Sequence, residues 1–118
     1  MKARHLALFA AAFLPALVQA APAQASKQQC QGYLKDSFEI VTYASVCQPS
    51  AEQDERYKAA FDAAISRLEQ EGCERVLGKE EARSFLSRQT EGKEPQQYCA
   101  AIKNSVQRSL QRYGSGSR

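Results

Sequence analysis

Cys30, Cys47, Cys73 and Cys99 are the residues of this 118-residue chain best suited to chemistry, and the chemistry is disulfide formation. Successive cysteines lie 17, 26 and 26 positions apart. No Cys-x-x-Cys occurs, so a thioredoxin-like redox pair has no support. The spacing is not that of a zinc site, and the single histidine, His5, lies next to the N-terminus. The expectation is therefore two structural disulfides, with no metal and no cofactor.

Other reactive constellations are missing or weak. Beyond His5 there is no imidazole to serve as a general base, which removes Ser-His-Asp and Cys-His arrangements and histidine-ligated metals. Gly78-Lys79 is followed by Glu80 rather than Ser or Thr, so it is not a Walker A loop. Gly-x-Ser-x-Gly, Ser-x-x-Lys and calcium-loop patterns are absent. A glycosidase-like carboxylate pair could be drawn only from Glu69, Glu71, Glu80 and Glu81, which read more simply as solvated helix-surface charges. The chain is not expected to be an enzyme, and a small hydrolase is the least favoured class.

The elements that must position the cysteines are helical. From Cys30 to Cys47 the apolar residues Leu34, Phe38, Val41 and Ala44 recur at helical spacing. Phe38 to Tyr43 is rich in strand-favouring types, which keeps a strand as the alternative there. Pro49 breaks the chain, and Ser50 with Gln53 forms a Ser-x-x-Gln capping box for a second helix over about 51–71. Tyr57, Phe61, Ala64, Ile65 and Leu68 line one face of that helix. Glu52/Arg56 and Asp54/Lys58 are candidate i,i+4 pairs on the other. Gly72 is placed to end it in a left-handed cap. A third helix is expected over 79–88, and a fourth from Pro95 to Tyr113, with Cys99, Ile102, Val106, Leu110 and Tyr113 as its seam.

This layout selects the pairing. Cys30 and Cys47 at the two ends of one helix would be separated by roughly 25 Å at about 1.5 Å per residue. A disulfide needs Cα atoms within about 7 Å. If the helices run up and down with short loops, Cys30 and Cys73 share one end of the bundle, and Cys47 and Cys99 the other. The expected fold is an all-α bundle of about four helices stapled by Cys30–Cys73 and Cys47–Cys99. A hairpin in place of the first helix would instead bring Cys30 to Cys47.

The N-terminus sets the compartment. Lys2, Arg4 and His5 precede an apolar stretch from Leu6 to Val18 that is too short to span a bilayer. Small residues at Val18-Gln19-Ala20 and Ala23-Gln24-Ala25 suit a signal peptidase, so residues 1–20 read as a removed export signal, with cleavage at 25 as the alternative. No cysteine follows the apolar run at lipobox spacing, so no lipid anchor is expected. Residues 21–29 read as a flexible arm, 30–114 as one helical domain and 115–118 as a disordered tail. Losing Lys2 and Arg4 leaves 14 basic against 13 acidic residues, too near neutral to suggest nucleic acid as a partner. An exported chain of this size would sit in a periplasmic or secreted, oxidising environment that keeps cysteines paired. The compact signal with Ala-rich flanks suggests a bacterial source.

Function is therefore reached by exclusion: an exported, non-catalytic module that binds another protein through a helical surface, of inhibitor, immunity or assembly-accessory type. Candidate interface residues are Tyr98, Lys103, Arg108 and Arg112, on a segment without Asp or Glu. The small residues Ala59, Ala63 and Ser66 offer a second surface. The alternative is a carrier of a small apolar ligand, with a cavity lined by Phe38, Phe61, Phe85 and Ile102. Cys30-Gln31-Gly32-Tyr33 and Cys47-Gln48-Pro49 bear a loose likeness to small helical periplasmic immunity proteins of type VI secretion systems. The likeness covers a small fraction of the chain and carries over no functional residue.

Overall fold

Ser26 starts the first helix. Its hydroxyl accepts from the Gln29 backbone N–H at 3.1 Å, and the Gln29 side chain accepts from the Ser26 N–H at 2.9 Å, a reciprocal capping box. The computed structural model describes residues 25–114. The expected signal at 1–20, the first four residues of the arm and the tail at 115–118 lie outside the described residues. Among those described, five α-helices form an all-α bundle: α1 Lys27–Thr42, α2 Glu55–Gln70, α3 Cys73–Val76, α4 Lys79–Thr90 and α5 Pro95–Ser109. α1 and α5 run on into π-helical turns, Tyr43–Cys47 and Leu110–Gly114, and Pro49–Gln53 is a 3₁₀ turn.

α1 begins inside the segment read as an arm, and Ala25 is buried beside Cys30, Cys73 and Leu77. Ser50 is not the cap of the second helix. Pro49 starts the 3₁₀ turn, and Asp54 caps α2, accepting from the Arg56 N–H at 2.9 Å. Arg56 also pairs with Asp54 at 3.0 Å rather than with Glu52. The guanidinium's hydrogen bond and the Arg56 N–H hold the Asp54 carboxyl below its ordinary pKa. Gly72 ends α2 with a left-handed φ of 65°.

α1 is the central element, packed against α2, α4 and α5, while the C-terminal π turn packs on α2. The main core gathers Ile40, Tyr43, Tyr57, Ala60, Ala64, Ile102, Val106, Leu110 and Tyr113. Tyr43 and Tyr57 stack with centroids 6.4 Å apart. Val41, read as part of the buried stripe, is instead 44% exposed.

The disulfides are Cys30–Cys73 and Cys47–Cys99, with Cα separations of 5.6 and 5.5 Å. They staple opposite ends of the bundle, as the antiparallel layout requires. Among the described residues no cysteine is free, and no helix is long and apolar enough to cross a membrane.

Candidate binding cleft

The α2–α3–α4 corner leaves apolar surface open. Gly72 turns the chain out of α2, Cys73–Val76 makes a single helical turn, and Leu77 is extended. α4 then starts at Lys79 with the Glu81 carboxylate reaching back to the Gly78 N–H at 3.4 Å. Glu81 also holds Lys27 at 2.6 Å, and these two bonds, that to Lys27 first, keep its carboxyl below the ordinary range. α4 buries no residue fully. Phe85 and Leu86 remain half-buried and outside both core clusters.

Between α1, α2, α3 and α4 lies a half-open cleft of about 660 Å³. Its apolar lining is Leu34, Ile65, Leu68, Leu77 and Ala82, with the Cys30–Cys73 disulfide behind it. Glu69, Glu74, Arg75 and Lys79 also line it, and none of these four has an ion pair or side-chain hydrogen bond among the described residues. A Cβ at Gly72 would meet the Arg75 Nη2 at 2.8 Å, so the bare glycine is what leaves room for that guanidinium.

The sequence-derived interface residues do not form one surface. Tyr98 is buried at 6% exposure and packs against Phe38, centroids 6.3 Å apart. It sits on the seam one turn before Ile102, which places it in the core. Burial, and then the negative charge of Glu39, push its phenol up to about 12, and its hydroxyl has no hydrogen-bond partner among the described residues. Lys103 and Arg108 are exposed but lie about 140° apart around α5 at 3.6 residues per turn. Arg112 is exposed yet engaged, pairing with Asp36 at 2.9 Å and lying over the Tyr113 ring. Ala59 is exposed, whereas Ala63 packs on the main core.

The carboxylates considered for hydrolysis are mostly partnered. Tyr33 donates to Glu71 at 3.4 Å, Glu80 pairs with Arg83 at 3.1 Å and Glu81 with Lys27. Sequence reading missed Glu39, which is 3% exposed on α1. It accepts from the Ser105 hydroxyl at 2.7 Å and pairs with Lys35 at 2.6 Å. The Lys35/Glu39 i,i+4 spacing was the available signal. No three His, Cys, Asp or Glu residues among those described converge on a possible metal position. The cavity expected between Phe38, Phe61, Phe85 and Ile102 is not what forms. Ile102 is in the core, Phe38 and Phe61 pack against it, and Phe85 lies outside it.

The chain is an all-α, disulfide-stapled bundle with an open cleft at one end. Comparison with protein-family models, curated proteins and solved structures finds no match.

Proposed function

We propose that this is an exported, non-catalytic module that binds another protein through its helical surface, as an inhibitor, immunity protein or assembly accessory would. The carrying observation is the cleft, whose Leu34, Ile65 and Leu68 floor is left open beside a helix, α4, that buries no residue fully. Apolar surface gathered in a concavity and rimmed by charge is the pattern of an interaction site. Export is supported by the N-terminal sequence and by two disulfides, which persist in oxidising compartments. The non-catalytic reading rests on a chain without histidine after His5. No nucleic-acid partner and no stable membrane anchor belong to this reading.

Affinity capture from envelope and secreted fractions tests it, using the oxidised protein, Ile65→Glu and Arg108→Glu. Ile65 lines the cleft without belonging to either core cluster, so the charge falls on the surface in question. The expected result is one salt-resistant protein at near-equal stoichiometry, kept by Arg108→Glu and lost by Ile65→Glu. Loss from Arg108→Glu alone would move the site to α5.

The cleft volume, about 660 Å³, also favours a second reading, a carrier of a small apolar ligand, because sites of about 300–1,000 Å³ enclose such molecules. That reading predicts added mass in native mass spectra after exposure to lipid extract, and no retained protein.

A further inference from the structure

We infer that the cleft takes the free C-terminal end of a partner protein whose last residues are apolar, with Arg75 pairing with the terminal carboxylate. This rests on the cleft being the protein-binding surface. Leu34, Ile65, Leu68, Leu77 and Ala82 supply a floor for apolar side chains. Arg75 supplies the charge. Its guanidinium lines the cleft, packed where a side chain at Gly72 would otherwise stand, and no carboxylate among the described residues holds it. A guanidinium is a planar fork of donors matched to a carboxylate, and Lys79 adds a second unpaired cation on the same lining.

A peptide fits this lining better than a fatty acid does. Glu69 and Glu74 face the same space and have no donor among the described residues. Peptide N–H groups can satisfy them. Both carboxylates are exposed and keep their water in the open cleft, and a hydrocarbon chain laid beside them offers no donor in exchange for any water it displaces. The chemistry is therefore apolar side chains, backbone donors and one terminal carboxylate.

The test is fluorescence anisotropy with the oxidised full chain. The probe is a fluorescein-labelled peptide pool ending in randomised Ala, Val, Leu, Ile and Phe, as free acids and as C-terminal amides. The free acids should bind and the amides should bind about tenfold more weakly, the loss of one charge-assisted pair. Arg75→Gln should bring the acids down to the level of the amides, and Ile65→Glu should remove both. Urea unfolding of each variant establishes that it is folded. Equal binding of acid and amide, no binding of the acid pool, or indifference to Arg75→Gln overturns the inference. Tighter binding of dodecanoate than of the acid pool overturns it in favour of an acyl ligand. The two proposals fail differently. Equal acid and amide binding, with partner capture still lost in Ile65→Glu, removes only carboxylate recognition. Capture that survives Ile65→Glu removes the cleft as the surface.

Discussion

The Tyr113 hydroxyl donates to Asp36 Oδ2 at 2.6 Å, joining the last described turn of the chain to the middle of α1. Arg112 donates to the same oxygen at 2.9 Å, so one carboxylate holds the C-terminal π turn on two donors. A hydrogen bond to a charged acceptor contributes about 1.5–3 kcal/mol. Tyr113→Phe should cost about that much in urea unfolding and leave the helix content unchanged.

The same contact sets an alkaline limit. Burial first, and then the bond to Asp36 and its charge, raise the Tyr113 phenol above its ordinary value, and burial raises Tyr98 to about 12. A phenol raised in the folded state contributes stability that is whole below its unfolded pKa of about 10 and is lost as pH climbs through the folded value. Stability should therefore decline above about pH 10, and Tyr113→Phe should flatten that decline. A wild-type urea midpoint that stays constant from neutral pH to about pH 11 would contradict the buried phenols.

Tyr98 carries the opposite expectation at neutral pH. Its hydroxyl is buried without a partner among the described residues, which leaves its desolvation uncompensated there. Tyr98→Phe keeps the ring against Phe38 and removes the orphan group. It should be neutral or stabilising by up to about 1 kcal/mol. Marked destabilisation in urea would show that the hydroxyl is satisfied in solution.

The contrast between these tyrosines shows what the sequence made legible. Tyr113 was placed on the helical seam, and the seam is buried. Tyr98 lies on the same face, four residues before Ile102, but was weighed with the basic residues around it. The disulfide pairing was legible because antiparallel helices with short loops leave each cysteine one reachable partner. The two π turns were not, since no residue type marks an extra residue in a turn, and the first of them begins two residues after Val41, which was expected inside. Ser26 and Gln29 formed a capping box as readable as that of Ser50 and Gln53, but only the former is used. Pro49 commits Ser50 to the 3₁₀ turn. The cleft was illegible because Leu34, Ile65, Leu77 and Ala82 meet only when four elements are assembled. Leu34, Ile65 and Ala82 each look like ordinary core in their own helices, and Leu77 lies in the extended link between α3 and α4.

The cap assignment can be tested directly. Asp54→Ala should lower the melting temperature, and Ser50→Ala should leave it unchanged. The Asp54 carboxyl sits below its ordinary pKa because of Arg56, so its contribution is present above the unfolded value and is lost as pH falls through the folded one. The difference between wild type and Asp54→Ala should therefore shrink in acid. A difference that persisted at low pH would mean the loss lies in something other than the charged cap.

The two staples should separate stability from binding. Cys30–Cys73 and Cys47–Cys99 span sequence separations of 43 and 52, so the chain-entropy model gives nearly the same contribution to each, about 4 kcal/mol. Replacing either pair with alanine should therefore shift the urea midpoint by a similar amount. Their surroundings differ. Cys73 lines the cleft and shares the small cluster with Ala25, Cys30 and Leu77, whereas Cys47 packs against the main core at the other end. Below the unfolding transition, the Cys30/Cys73 double alanine variant should lose the captured partner, because α3 and Leu77 are no longer tied to α1. The Cys47/Cys99 variant should keep it. Equal loss of binding from both variants while both remain folded would mean that the cleft depends on the rigidity of the whole bundle, and that its local disulfide has no particular part in shaping it.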